Sequence, residues 1–233
     1  MDLTQPEYSN LSPFLQYIAA ISDKGEDRIP SLSELSKKLG MSVATLREQM
    51  EIARIMGFVD VRPKAGIRKT AYSFKPAVIT SLSYALASEA APFEQYANLR
   101  KHLETAYFIE AVNALTPEDR DELELIVRRA EEKLRRNPVV LPTVEHREFH
   151  LLVYKRLGNK FVVGLLEAYW DLYKAVGYEL YPDVNYVSNI WQYHKKMAEL
   201  IKARNYDQAF QNLLEHMELI TLREKRIPRQ SFE

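Results

Sequence analysis

The sequence predicts a mainly α-helical protein in two parts, a small N-terminal helix-turn-helix unit with a β-hairpin and a larger antiparallel helical bundle. Three observations lead to this fold class. Apolar residues recur at helical spacing through most of the 233 residues, strand-like alternation is confined to residues 58–74, and Gly or Pro marks most breaks between the periodic stretches. The predicted domains are residues 1–75 and 76–233.

The N-terminal domain is predicted to begin with three helices. The first covers residues 11–22, and the second opens after Pro30 and ends at Gly40, because a left-handed residue commonly closes a helix. Ser42 is a favourable N-cap for the third helix, which ends at Gly57. The residues expected to face inward are Leu11, Phe14, Leu15, Ile18, Ala19, Leu32, Leu35, Leu39, Leu46, Met50, Ala53 and Ile55 or Met56.

Two strands are predicted to follow the third helix. They cover residues 58–62 and 67–74 and are joined through a short turn over residues 63–66. A helix-turn-helix followed by such a hairpin is typical of the winged helix-turn-helix, a fold that binds DNA.

The hairpin carries an acid-free run of basic residues, Arg62, Lys64, Arg68 and Lys69, at the place where a DNA phosphate backbone would be met. This excess is local, because residues 1–75 hold 11 Lys and Arg against 9 Asp and Glu, and the whole chain has zero net charge. An ordinary solvated hairpin tip is the alternative, but the preceding helices favour DNA contact.

The rest of the chain is predicted to be almost entirely helical. Thr116-Pro117 is a clear helix start, with an N-cap Thr and Pro at the first helical position. Seven helices with short connections predict an antiparallel bundle. They are placed at residues 77–90, 92–115, 117–136, 142–157, 159–180, 184–203 and 206–223, with a break at Tyr181-Pro182 among others.

Composition excludes several classes of protein. The chain is 46% apolar and 27% charged, which is typical of a globular protein rather than a disordered one. It has no cysteine, so disulfides, thiol catalysis and thiolate metal sites are excluded. No apolar run approaches the roughly 18 residues that span a bilayer. The first residues lack the features of a signal peptide, so no membrane association and a cytoplasmic location are expected.

Histidines are the residues of the bundle with the clearest chemical potential. His146 and His150 are four residues apart and share one helical face, while His194 and His216 lie on two later helices among inward-facing residues. Imidazoles from three helices of a bundle can coordinate Zn²⁺ or a similar ion. The alternative is a set of unrelated histidines, because such a pair is a weak signal without the Glu of an HExxH motif.

Several spaced motifs together resemble one family. They are LSELSKKLGMSVATLREQM in the helix-turn-helix, Gly66 in the wing, RKHLE from Arg100, HREFH from His146, GN at residues 158–159, YH ending at His194 and EHM around His216. The N-terminal part resembles the winged-helix domain of GntR-family bacterial transcription regulators. Residues from about 93 to 220 resemble the helical FCD ligand-binding domain of the FadR subfamily.

The resemblance implies a divalent metal ion held by one Asp and three His. His150, His194 and His216 match the three histidines, and His146 stands where the family has Asp. An all-histidine site would favour Zn²⁺ or Ni²⁺. Glu145 is an alternative carboxylate ligand, but it points to a less suitable side of the helix, so His146 is favoured.

The family also implies a cavity beside the metal in which a small organic acid binds. Arg100 matches the arginine of the family's R-x-x-L-E run and is the expected effector-binding residue, because a guanidinium grips a carboxylate by two parallel hydrogen bonds. A salt bridge with Glu104, on the surface or between domains, is the equal alternative. His102 matches no family ligand and is expected to be exposed.

The start of the third helix is expected to enter the major groove. Ser42, Val43 and Thr45 then face bases or nearby phosphates, and Arg47 meets the backbone. Family members usually have Arg where this chain has Val43, and a lost guanine contact is worth about 1–3 kcal/mol. The operator should therefore differ from the common family sequence or be bound through other contacts.

In the wing, Gly66 permits a tight turn, and Arg68 and Lys69 are expected to reach phosphate or the minor groove. Together these expectations describe a homodimeric, ligand-responsive regulator, not an enzyme, that binds a roughly palindromic double-stranded DNA operator. Two alternatives remain. One is a metal-dependent enzyme with Glu145 or Glu148 as the base, and the other is a DNA-binding protein whose bundle only dimerises.

Overall fold

The computed structural model describes residues 10–21, 28–62, 66–176 and 183–224. The chain divides into two compact units, Met1–Leu82 and Ser83–Glu233. The division falls inside the helix Lys75–Ala87 rather than at its start, where the sequence placed the domain boundary.

The first unit contains short helices and strands that begin and end at local signals. Ser31 and Glu34 form a reciprocal capping box at the start of the second helix, and Gly40 closes that helix with φ +65°. The Ser42 side chain caps the third helix. The elements are α1 (Pro13–Ala20), β1 (Arg28–Ile29), α2 (Leu32–Leu39), α3 (Val43–Ile55), β2 (Val59–Arg62), β3 (Gly66–Lys69) and most of α4 (Lys75–Ala87).

The strands form a three-stranded antiparallel sheet in the order β1-β3-β2. β1 was not predicted, because two residues carry no readable alternation. β3 ends at Lys69 rather than at residue 74, because Lys69 pairs with Val59, the first residue of β2. Further on, the Ser73 side chain accepts a hydrogen bond from the backbone N–H of Lys75 at the start of α4. The turn residues 63–65, with the basic Lys64, lie outside the described residues.

A single apolar cluster lies beneath this sheet and its helices. Most of the predicted inward residues are buried or packed against the cluster, but Ala19 is exposed and the Ile55 side chain is 46% exposed. Ile55 follows buried Ala53 by two residues, which places it on the far side of α3. The buried residues are Phe14, Ile18, Ile29, Leu35, Leu46, Ala53, Val59 and Ile67.

The second unit is a helical bundle. Each of the seven helices predicted after residue 76 is present in the described part of the chain, with ends displaced by only a few residues, and α6 begins with a Thr116–Asp119 capping box. The predicted break at Tyr181-Pro182 and the end of the helix before it lie outside the described residues. The remaining helices are α5 (Phe93–Ala114), α6 (Pro117–Leu134), α7 (Thr143–Tyr154), α8 (Lys160–Ala175), α9 (Val184–Lys202) and α10 (Tyr206–Glu224).

Within this unit α6 packs on α7 and α9, α9 packs on α10, and α5 contacts α7, α8 and α10. The core is apolar, with Phe108, Phe149 and Leu213 among its fully buried side chains. α5, α7, α9 and α10 each also bury polar side chains in the interior, and Arg100 and Glu104 of α5 with the histidines of the other three helices form the candidate site. None of the described helices combines the length and apolarity needed to cross a lipid bilayer.

Candidate metal centre and nucleic-acid interface

Four histidines of three helices converge inside the bundle. One ring nitrogen from each of His146, His150, His194 and His216 lies within 4.8 Å of the others. α7 supplies the first two, one helical turn apart, and α9 and α10 supply one each. His146 is partly buried and the other three are buried. The structure therefore brings together the four histidines that the sequence singled out.

Hydrogen bonds fix which ring nitrogens of two histidines carry hydrogen. His194 Nδ1 is 2.9 Å from the carbonyl oxygen of Ile190, which can only accept, so Nδ1 donates. His150 Nδ1 is 3.1 Å from Glu104 Oε2, a carboxylate oxygen that also accepts. In both histidines the lone pair is consequently on Nε2.

These two Nε2 atoms face each other at 3.1 Å. Neither can donate to the other, so the two lone pairs repel unless a cation lies beside both. Zinc–nitrogen bonds of about 2.0–2.1 Å would place two tetrahedral ligand nitrogens roughly 3.3 Å apart. The spacing in the bundle is close to this value, and the residues present fit a divalent ion.

His216 provides a second, independent observation that fits a bound metal ion. Both of its ring nitrogens are buried, and neither finds a hydrogen-bond partner among the residues that the structure describes. A neutral imidazole has one donor and one acceptor, and a buried polar group left unsatisfied costs about 1–3 kcal/mol. A metal ion bound at one nitrogen would satisfy the acceptor.

The surroundings of the cluster lower the pKa values of three of its histidines. Burial lowers the pKa of His194 to about 4, and burial with the charge of Arg100 holds the pKa of His150 well below its ordinary value. Burial and the neighbouring histidines do the same to the pKa of His216. These three rings are neutral at pH 7, which is the protonation state that binds metal ions.

Arg100 and Glu104, one turn apart on α5, are buried beside the cluster. Arg100 Nε is 2.8 Å from Glu104 Oε1, and its NH2 group is 3.1 Å from Glu104 Oε2, so the pair is bidentate. The guanidinium also lies over the rings of Tyr169 and Trp170. The salt bridge considered from the sequence is present, but in the interior against His150 rather than on the surface.

Charge pairing keeps Arg100 ionised. Burial acts to lower the pKa of Arg100, but the adjacent Glu104 carboxylate outweighs it and raises that pKa above its ordinary value. The guanidinium NH1 group has a weaker contact, 3.4 Å from the Tyr169 hydroxyl. Arg100 is therefore a permanent buried cation with one side less firmly engaged than the other.

Glu145, the alternative ligand, lies in a different environment. It is buried, but Lys133 Nζ pairs with its carboxylate at 2.7 Å, and it does not belong to the histidine group. His146 instead has its ring centroid 5.0 Å from those of both His150 and His194. His102 is exposed, with Nδ1 2.8 Å from the Asn98 carbonyl oxygen, and lies outside the cluster.

The N-terminus of α3 presents the residues predicted to meet bases. Ser42 Oγ accepts a hydrogen bond from the Thr45 N–H at 3.1 Å and lies 2.9 Å from Thr45 Oγ1, so the two hydroxyls are joined. Val43 is partly buried and Arg47 is exposed. The surface at this helix end is thus formed by Ser42, Val43 and Thr45 beside the exposed side chain of Arg47.

The wing cations fall into two kinds. Gly66 has φ +83°, which suits it to the start of β3, and Arg68 is exposed. Lys69 is partly buried, and its Nζ donates to the Ile21 carbonyl oxygen at 2.7 Å, which ties β3 to the end of α1. Arg28 of β1 lies directly opposite Arg68 and is also exposed. The sequence analysis did not identify Arg28 as a wing residue, because no sequence pattern predicts β1.

A three-stranded winged helix-turn-helix and a separate helical bundle with a buried histidine cluster define the class of two-part, DNA-binding regulators. The FCD domain model matches residues 95–219, more than half of the chain. The chain belongs to the GntR-type transcription regulators with an FCD domain.

Individual relatives agree with this membership. The Uxu operon regulator of Haemophilus influenzae is 23% identical over 202 residues, covering 84% of this chain and 73% of its own length. Among solved structures, a Streptococcus agalactiae GntR protein has a TM-score of 0.59 at 19% identity, covering 84% of this chain and 88% of that one. Lar, which controls expression of the Listeria monocytogenes agr system, has a TM-score of 0.51 at 12% identity, covering 92% and 95%. The relatives are regulators, which confirms the expectation of a regulator rather than an enzyme.

Proposed function

We propose that this regulator, of the FadR subfamily, binds a divalent metal ion through His146, His150, His194 and His216 and responds to a small organic acid. It acts in the cytoplasm as a homodimer on a roughly palindromic double-stranded DNA operator. The observation that carries the metal proposal is the pair of opposed Nε2 lone pairs of His150 and His194, 3.1 Å apart.

The donor set supports Zn²⁺ or Ni²⁺ as the ion. Neutral imidazoles suit borderline ions such as these, whereas Mg²⁺ and Ca²⁺ prefer oxygen ligands. A bound ion would supply Lewis acidity toward a ligand with a free lone pair. The four histidines contribute no negative charge, unlike the family's Asp-containing set.

Charge balance supports an acidic effector. A divalent ion and Arg100 would together carry three positive charges, and the buried Glu104 offsets only one of them. A carboxylate ligand reduces this excess, which is costly away from water. The NH1 side of Arg100, whose contact within the described residues is the 3.4 Å one with the Tyr169 hydroxyl, is the side proposed to meet the effector.

Ligand binding at this place would act on the helices that hold the ion. α7, α9 and α10 carry the proposed ligands, so an acid bound beside the ion selects particular positions of these helices. The regulator then shifts between populations with different operator affinity, and a few kcal/mol of differential binding suffices.

DNA contact is assigned to the start of α3 and the wing. Ser42, Val43, Thr45 and Arg47 would meet the major groove and its backbone, and Gly66, Arg68 and Lys69 would meet the minor groove or phosphate. Because Lys69 donates to the Ile21 carbonyl oxygen, its main contribution is to hold the wing in place.

Metal analysis of purified variants tests the metal proposal. His150→Ala should lose most of the bound Zn²⁺ or Ni²⁺, while His102→Ala, an exposed histidine of the same unit, should retain it. Circular dichroism checks that both variants fold. Equal metal content in the two variants and the unchanged protein would reject the site.

DNA binding and effector response need two further measurements. An operator duplex selected from random sequence should bind Arg68→Ala more weakly, with a salt dependence reduced by about one phosphate contact. In a thermal-shift screen of small carboxylic acids, the effector should raise the Tm of the metal-loaded protein and leave the Tm of His150→Ala unchanged. Metal with substrate turnover would instead support the enzyme alternative, and the absence of both metal and acid response would support the dimerising scaffold.

A further inference from the structure

Glu104 has an unusual position for a carboxylate. Its side chain is fully buried, and within the described chain it is the carboxylate that touches a member of the histidine group. It accepts two hydrogen bonds from Arg100 and one from His150 Nδ1. Its backbone carbonyl oxygen accepts a further bond from the Tyr154 hydroxyl at 2.7 Å, which fixes this turn of α5 against α7.

We propose that Glu104 is a positioning residue for the metal centre: it holds His150 in the Nδ1–H tautomer and supplies the negative charge that four imidazoles lack. This inference rests on the proposed metal site. A carboxylate behind a metal-bound histidine orients the ring and increases its basicity.

The tautomer follows from competition between two neighbours for one nitrogen. Arg100 NH2 lies 3.3 Å from His150 Nδ1, and Glu104 Oε2 lies 3.1 Å from the same atom. Arg100 can only donate and ionised Glu104 can only accept, so Nδ1 can satisfy one of them and not both. The carboxylate oxygen is the closer of the two, and Arg100 NH2 already donates to that oxygen and lies 3.5 Å from His150 Nε2. The carboxylate therefore takes the Nδ1 hydrogen, which leaves the lone pair on Nε2.

Removing the carboxylate while keeping the arginine should reverse this outcome. Arg100 NH2, which lies 3.3 Å from His150 Nδ1 and 3.5 Å from Nε2, then has no carboxylate beside it and donates to the nearer nitrogen, which moves the hydrogen to Nε2. That hydrogen would point at His194 Nε2, 3.1 Å away, and would occupy the direction needed for a metal ion. Removing Arg100 instead leaves the acceptor in place and preserves the tautomer.

Two of the other ligands have no comparable support among the described residues. His194 donates to the backbone carbonyl of Ile190, and the ring nitrogens of His216 have no hydrogen-bond partner there. His150 is thus a ligand that contacts a charged acceptor, and Glu104 is the side chain to change.

Two substitutions at one ion pair separate positioning from simple structural support. Glu104→Gln and Arg100→Gln both break the same buried pair, but they are expected to have opposite effects on the His150 tautomer. In Glu104→Gln the amide oxygen stays with Arg100 Nε, and the amide NH2 replaces the Oε2 acceptor that faces His150 Nδ1. Glu148→Gln is the matched control, because Glu148 lies two residues from His150 and pairs with Arg129 at 2.7 Å on the surface.

Nitrogen-15 NMR of histidine-labelled, metal-free full-length protein reports the tautomer, and chelator competition measures the Kd for Zn²⁺. The unchanged protein, Glu148→Gln and Arg100→Gln should show Nδ1–H at His150, and Glu104→Gln should show Nε2–H. The Kd should rise about 10–100-fold in Glu104→Gln and less in Arg100→Gln. If Glu104→Gln fails to fold, the neutral double variant Arg100→Gln with Glu104→Gln should still lose affinity by a similar factor.

Several results would overturn the inference. Equal losses of affinity in Glu104→Gln and Arg100→Gln with an unchanged tautomer would show that the pair is merely structural. Zinc binding by the unchanged protein together with an Nε2–H tautomer would reject the role of Glu104 and leave the metal proposal standing. An Nδ1–H tautomer in an unchanged protein that binds no Zn²⁺ would reject the metal proposal and the charge role together.

Discussion

The buried histidines should make the stability of the metal-free protein fall steeply below neutral pH. His194 is fully buried, and its pKa is lowered by burial from 6.5 to about 4. Between these two values the unfolded chain binds more protons than the folded one. The contribution of neutral His194 to stability is therefore fully present above pH 6.5 and is lost as the pH falls toward 4.

The magnitude follows from the difference in pKa. At pH 5, about 1.5 units below the unfolded value, His194 alone should cost about 2 kcal/mol of unfolding free energy. His150 and His216 have pKa values displaced in the same direction for the same reason, so the total loss should be larger.

Urea denaturation followed by tryptophan fluorescence reports the unfolding of the helical bundle that contains His194. Trp170 and Trp191, the two tryptophans of the chain, both lie in this second structural unit. Metal-free protein with a chelator is compared at pH 7.5, 6 and 5, beside His194→Asn, which cannot titrate at that position. Between pH 7.5 and pH 5, the unfolding free energy of His194→Asn should fall by about 2 kcal/mol less than that of the unchanged protein. A flat profile for the unchanged protein, or the same profile in both proteins, would refute the reasoning.

Four further substitutions have defined expectations. Gly57→Ala should destabilise the first unit by about 1–3 kcal/mol in urea denaturation, because φ is +72° and the new Cβ would lie 2.6 Å from Pro76 Cγ; unchanged stability would contradict this. Glu145→Gln should keep its metal in elemental analysis while His146→Ala loses affinity, and the reverse result would make the carboxylate the fourth ligand. Phe108→Ala should cost the second unit about 3–5 kcal/mol through an internal cavity, and a loss under 1 kcal/mol in calorimetry would show that the site collapses.

Local signals explain why most helices were predictable. The capping boxes at Ser31 and Thr116 and the left-handed Gly40 act over three or four residues, so the same residues that encode a helix end also form it. β1 and the early end of β3 were missed for the opposite reason. A two-residue strand exists only because β3 lies beside it, and nothing within the strand itself encodes that neighbour.

The candidate site was predictable as a set of residues and not as an arrangement. Spacing and family resemblance singled out four histidines, and helical periodicity placed His146 and His150 on one face. Neither decided between a cavity and a surface salt bridge for Arg100, and neither indicated that its partner Glu104 would reach His150 or that Lys69 would donate to the Ile21 carbonyl.

By itself the sequence determined the two-part architecture, the positions of the helices and the identity of the candidate ligands, because these depend on periodicity, capping and residue type over short distances. The tertiary structure decided which side chains meet. His150 and His194 are 44 residues apart, and His150 and Glu104 are 46 apart. Contacts across such separations are set by the packing of whole helices against one another. This packing decided that the Nε2 lone pairs of His150 and His194 face each other and that the Arg100–Glu104 ion pair is buried beside them.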